Sequence, residues 1–295
     1  MSLRREPSFA RQLKTFEGRI KELTERKKER LVLIIMSNTH DPILSAGCTK
    51  DAEAVKNTFQ AICTNAGYIF CCIEISGKNY SRENLLKAID VMGLYNDVAV
   101  FYYSGHGFSY QKDSKSKYPQ LDMRSYSDDA DFNKIDFIEK HTENLAVLLN
   151  LMRFKGGRVN IAIADCCNTT IPFIRKKYGI KEMNVADGIL PPVSKSLTKN
   201  LFTDFKNGIC ILVSSSVQGQ PAITDDSIGS IFTLRLTETI KAVLSKENKS
   251  SNYLPWLKVL KTASAKAFKD SKSYDIGNGV AGKQKAVFEV FVDRE

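Results

Sequence analysis

An α/β fold with a mostly parallel sheet is the architecture this sequence predicts, and three observations point to it. Short continuous apolar runs alternate with stretches of helical periodicity, the pattern of repeated βαβ units. The runs lack an apolar/polar alternation, as expected of strands buried between helices on both faces. The chain has 295 residues, 43% hydrophobic and 26% charged, enough to fill one large core.

The elements follow in order. Phe9, Leu13, Phe16, Ile20 and Leu23 are spaced 4, 3, 4 and 3, one stripe of an amphipathic helix. Residues 1–30 hold ten Lys/Arg against five Glu, half of the net charge of +10. We read 1–30 as a basic amphipathic helical extension docked on its own domain, and 31–295 as that domain. "LVLIIMS" (31–37) is a buried strand. "DAEAVKNTFQAICTNAG" (51–67) is a helix closed by Gly67. "IFCCIEI" (69–75) is a second strand, and "SRENLLKAIDVM" (81–92) a helix with Ser81 as N-cap. "VAVFYYS" (98–104) is the third strand, "IDFIEKHTENLAVLLNLMR" (135–153) one helix, and "VNIAIA" (159–164) the fourth strand. "GICILVSSS" (208–216) is a fifth strand; 231–245 and 254–268 are helices; "KAVFEVFV" (285–292) is the sixth strand.

Composition excludes several classes. No window approaches the apolar length of a membrane span, and the basic N-terminus has no apolar run behind it, so no export signal is expected. A reducing, cytoplasmic setting follows. The seven cysteines fit it: an odd number with two adjacent pairs makes a poor disulfide framework. No C-x-x-C occurs and there are only three histidines, which argues against structural zinc. Cys63, Cys71, Cys72 and Cys210 lie in apolar runs and read as small buried hydrophobes. No nucleic-acid signature accompanies the positive charge, so it reads as a solvated helix face.

Two long irregular stretches, 107–134 and 168–207, each begin at a strand end. Ligands bind outside the carboxyl ends of parallel strands, so the ends "FYYSGHG" and "IADCC" mark the candidate site. His106 and Cys167 sit there, 61 positions apart. Side chains alternate along a strand: Ser104 and His106 share one face, Asp165 and Cys167 share one face, and Cys166 turns away. The chemistry that fits is nucleophilic catalysis, with an imidazole activating a thiol and N–H donors, such as those of Gly107 and Cys167, receiving the oxyanion.

"YYSGHG" followed by "IADCC" resembles the caspase-like cysteine protease superfamily, and most of all metacaspases and bacterial relatives, which carry S-G-H-G and D-x-C. The histidine lies about 50 residues or more before the cysteine, near the family spacing; the caspase motif Q-A-C-x-G is absent. The resemblance covers about residues 31–292 and implies a caspase-like three-layer sandwich. It implies His106 as general base and acid, Cys167 as nucleophile and Gly107 in the oxyanion hole. It further implies a pocket for substrate Arg or Lys, built from Asp165, Ser104 and the Cys48/Asp51 pair of "GCTKDA". Two carboxylates at the base of a cleft suit a guanidinium or ammonium group; Asp51 is equally readable as a helix N-terminal residue favoured by the dipole.

Many metacaspases are switched by calcium. Asp122, Asp128, Asp129 and Asp131 are candidate ligands, but the family's acid just after the cysteine is missing from "NTTIPFIR", so no cofactor or metal is expected. The stretch "IRKKYGIK" offers Arg175, Lys176, Lys177 and Lys181 for self-cleavage. The resulting expectation is a cysteine endopeptidase acting on protein or peptide substrates with basic residues, without nucleic-acid or membrane partners; its oligomeric state stays open between a monomer, slightly favoured, and a dimer paired through the last strand. A caspase-like protease of other specificity awaiting a partner activator, and a catalytically silent caspase-fold binding protein, are the alternatives. A Cys166–Cys167 redox role is disfavoured, because adjacent cysteines close a strained ring.

Overall fold

The structure is a computed structural model, and it describes residues 8–25, 29–92, 98–110, 116–125, 135–169, 201–202, 208–245, 255–276 and 280–292. In chain order the elements are α1 (Phe9–Glu25), β1 (Arg30–Ser37), α2 (Ser45–Ala66), β2 (Ile69–Ile75), α3 (Arg82–Val91) and β3 (Val98–Ser104). There follow β4 (Gly107–Phe108), β5 (Gln120–Asp122), α4 (Ile135–His141), β6 (Thr142–Asn144), α5 (Leu145–Phe154) and β7 (Val159–Asp165). The chain continues through β8 (Ile209–Ser214), β9 (Thr224–Asp225), β10 (Gly229–Ser230), α6 (Ile231–Ser245), α7 (Pro255–Ser271) and β11 (Val287–Val292).

Six strands form the central sheet in the order β11-β8-β7-β3-β1-β2. All neighbours are parallel except β11, which pairs antiparallel with β8 at the edge. Alternation along the strands builds two cores. Leu31, Leu33, Ile35, Val100 and Ile161 face Val55, Phe59, Leu236 and Trp256 of α2, α6 and α7. Val32, Ile34, Phe101 and Ala162 face Phe16, Leu85 and Leu148 of α1, α3 and α5. Burial of both faces explains why the strands read as continuous apolar runs.

The basic helix α1 docks its predicted stripe: Phe9, Phe16, Ile20 and Leu23 are buried, with Leu13 packed beside them. Ser81 caps α3 by accepting from the Asn84 N–H at 3.2 Å. Two expectations need correction. The helix expected from residue 51 starts at Ser45, which puts Cys48 and Asp51 inside it rather than at its N-terminus. The single helix expected over 135–153 is two, α4 and α5, separated by β6, which pairs with β5 in a small three-stranded sheet. Asn144 ends that strand and caps α5 by accepting from the Ala146 N–H at 2.9 Å.

None of the seven cysteines is in a disulfide. Cys63, Cys71 and Cys210 are buried as expected, whereas Cys72 is only partly so. Among the described residues, no helix is long and apolar enough to cross a membrane.

Candidate active site

The register of the two central strands brings the predicted residues to one level. Ser104 of β3 pairs with Asp165 of β7, and beyond the strand ends Phe108 bridges Thr169 in the same parallel sense. Both pairs have an offset of 61 residues, the separation of His106 and Cys167, so these two stand opposite each other between them. Neighbouring strands lie about 4.8 Å apart.

The alternation persists past the last strand residue. Cys166 is buried in the core on the α3/α5 side, and a Cβ on Gly107 would collide with its Sγ and lie 2.7 Å from the Cys167 carbonyl. A side chain at 107 would therefore force the two strand ends apart. Gly105 is constrained alike: a Cβ there would meet the Tyr103 hydroxyl at 2.7 Å and that of Tyr80 at 3.0 Å. Those hydroxyls hold the loop. Tyr103 donates to the carbonyl of His106 (2.6 Å), and the Asp122 N–H donates to the same carbonyl (3.0 Å).

Cys167 is covered, with 2% of its surface exposed. The Ala222 N–H donates to its Sγ at 3.4 Å, and the thiol reaches the Ala222 carbonyl at 3.9 Å. Asn168 is pinned next to it: its side-chain amide donates to the Lys117 carbonyl at 3.0 Å, and its N–H donates to the Gln220 carbonyl at 3.0 Å. Elsewhere, burial pushes the Cys63 and Cys72 thiols up to about 12, which keeps them protonated and unreactive.

The four residues expected to form the specificity pocket are brought together, but under cover. Asp51 is 1% exposed and Asp165 0%. Asp51 accepts from the Ser104 hydroxyl (2.7 Å), the Ser230 N–H (2.7 Å) and the Ser230 hydroxyl (2.5 Å). Ser104 Oγ is also 3.3 Å from Cys48 Sγ. Asp165 accepts from the N–H (3.0 Å) and hydroxyl (2.7 Å) of Thr233, whose hydroxyl is in turn 2.6 Å from the Tyr102 hydroxyl. Ser230 and Thr233 bracket the start of α6, so both carboxylates sit at the positive end of a helix dipole. Burial, and then the charge of Asp165, raise Asp51 to about 6; its hydrogen bonds to Ser230 and Ser104 oppose that rise.

Of the calcium candidates, one lies among the described residues. Asp122 is committed to Arg124, accepting from its N–H (3.2 Å) and its Nε–H (2.8 Å). Asp128, Asp129 and Asp131 lie outside the described residues, as do the self-cleavage candidates Arg175, Lys176, Lys177 and Lys181. Among the described residues, no three His, Cys, Asp or Glu side chains cluster as metal ligands.

Sequence reasoning missed Asp41, Ala222, Ser230 and Thr233. Asp41 Oδ2 is 2.8 Å from His106 Nε2. It had a readable signal: it lies just past the end of β1, the sheet neighbour of β3, on the edge where ligands bind. Ala222 acts through its backbone, which no side-chain motif reveals.

A family model described as the caspase domain matches residues 29–287 of the chain. Among curated proteins, none matches.

Proposed function

The chain belongs to the caspase-domain family, and on that premise we propose that it is a cysteine endopeptidase with Cys167 as nucleophile and His106 as general base and acid. The observation that carries this reading is the constant register that sets His106 and Cys167 opposite each other at the carboxyl edge of the sheet. In the first step His106 takes the thiol proton and the sulfur bonds to the substrate carbonyl carbon, placing the electron pair on oxygen. The N–H groups of Gly107 and Cys167 receive that oxyanion. Collapse breaks the C–N bond, and His106 returns the proton to the leaving amine. Water, deprotonated by His106, then cleaves the thioester and restores the thiol.

Substrates are proteins or peptides with Arg or Lys before the cleaved bond. Support comes from the buried Asp51 and Asp165 carboxylates with Ser104 and Cys48: a cation is the group such a pair stabilises most. This acidic pocket also aligns the chain with metacaspases rather than aspartate-specific caspases. No metal takes part, self-cleavage falls within 174–181, and the reducing cytoplasm is the setting that seven cysteines outside any disulfide support.

One observation favours a second reading in which the enzyme awaits an activator. A single segment covers both halves of the site, with Ala222 on the Cys167 thiol and Ser230 on the Asp51 carboxylate. Substrate entry then requires residues 222–230 to move.

The test is initial cleavage of fluorogenic peptides ending in Arg, Lys or Asp by wild type, Cys167→Ala and Cys166→Ala, with calcium or a chelator. Cleavage after Arg and Lys, unchanged by chelator and abolished only by Cys167→Ala, is expected. Preference for Asp would overturn the pocket, and activity that survives Cys167→Ala would overturn the nucleophile.

A further inference from the structure

We propose that Asp41 is a positioning residue for His106, holding the ring in the tautomer that leaves Nδ1 as the basic nitrogen. The inference rests on His106 being the catalytic base. Asp41 Oδ2 lies 2.8 Å from His106 Nε2, and the two side chains are only 22% and 13% exposed. The hydrogen bond to His106 holds the Asp41 carboxyl below its ordinary value, against the opposing effect of burial. An ionised carboxylate only accepts hydrogen bonds, so Nε2 carries the proton and Nδ1 is free to take one from the thiol.

The carboxylate is aimed by its own loop. Its other oxygen, Oδ1, accepts from the Ile43 N–H at 2.8 Å, and the Asp41 N–H donates to Asn38 Oδ1 at 3.2 Å. The Asp41 carbonyl accepts from the Ser45 N–H at 2.8 Å, where α2 begins. Asn38 in turn donates its N–H to the Ser104 carbonyl at 2.9 Å. The loops carrying Asp41 and His106 leave paired residues, Ser37 and Ser104, and are tied again just beyond. A local turn needs only Oδ1; the second oxygen is left for the imidazole.

Charged and titratable groups around the ring are few. From the Asp41 loop comes His40, which burial holds below its ordinary value and which feels His106, Asp41 and Asp122. From β5 comes Asp122, neutralised by Arg124. From the end of β7 come the thiols of Cys166 and Cys167. Asp41 is the carboxylate in hydrogen-bond contact with the ring.

Asp41→Asn separates positioning from loop structure. Its amide oxygen still accepts from the Ile43 N–H, which places the NH2 group against Nε2. Two donors cannot face each other, so the ring sheds its Nε2 proton and carries it on Nδ1 instead. The chain has three histidines, so imidazole nitrogen NMR resolves each, with His141 reporting an undisturbed fold. In wild type His106 is expected as the Nε2–H tautomer. In Asp41→Asn it is expected as Nδ1–H. On an arginyl peptide, kcat is expected to fall about 100-fold with KM unchanged. An unchanged tautomer in Asp41→Asn would overturn the proposal, whatever happens to kcat. If wild type cleaves no peptide yet the tautomer flips, the reading of an unaided protease fails while the role of Asp41 toward His106 stands.

Discussion

Asp51 shows how a single buried carboxyl couples stability to function. Burial and the neighbouring Asp165 raise it to about 6, so the folded protein prefers its neutral form. The sign follows: the stability this group contributes is complete below the ordinary carboxylate value and is lost as pH rises through about 6. A shift of that size corresponds to about 3 kcal/mol. Thermal melts are expected to show Tm falling between about pH 4 and 7 in wild type, with Asp51→Asn flattening that slope; parallel pH curves for the two proteins would contradict the assignment. The same titration acts on catalysis in the opposite sense. A cationic side chain needs the ionised carboxylate, so kcat/KM for arginyl peptides is expected to rise with pH through about 6. Gly107→Ala is the steric counterpart. The added carbon would press on Cys166 and on the Cys167 carbonyl, which is expected to lower stability by about 1–3 kcal/mol in denaturant melts and to abolish cleavage. Gly107 was legible because a strand end marks it, whereas Asp51 was implied only by the family resemblance. Asp41 was missed although its place just past the end of β1 marked it, because no periodicity links a loop aspartate to its imidazole partner.

At the scale of elements, amphipathic periodicity was a dependable guide where one face is simply buried. The stripe of α1 is the clearest case, and its apolar residues join the core below β1 and β2. Phe16→Ala is expected to cost about 3 kcal/mol by chemical denaturation; a change below about 0.5 kcal/mol would mean that the helix is not docked. The same periodicity misled over 135–153. Six polar residues, 139–144, interrupt its apolar positions, and within them Thr142–Asn144 form a strand because β5 offers a partner. Long-range pairing overrides local propensity there. The start of α2 was missed for a related reason. "SAGCTKD" holds small and polar residues with little apolar pattern, yet Cys48 and Asp51 point inward beneath β10 and α6. What looked like a helix N-terminus is the inward face of a longer helix.

Across the whole molecule, the parallel sheet sets the site and the helices tune it. β1, β3 and β7 are neighbours, and their carboxyl ends deliver Asp41, His106 and Cys167 in turn. The start of α6 supplies the N–H and hydroxyl groups that hold Asp51 and Asp165. The two sheet edges differ: α1 packs along β2, whereas β11 leaves Phe291 and Val292 exposed. Over the site, the segment carrying Ala222 and Ser230 joins thiol and carboxylates into one covered unit, tied to the approach of β11 where the Ile223 N–H donates to Gln284 Oε1 at 2.9 Å.

The central claim is that Cys167, activated by His106, attacks substrates selected by a cationic side chain. Peptide mapping by mass spectrometry after reaction with two acyloxymethyl ketone probes, one arginyl and one aspartyl, tests it most directly. The account predicts a single adduct on Cys167, formed about tenfold or more faster by the arginyl probe and lost in His106→Ala. Labelling of Cys166, or equal labelling by both probes, would contradict it.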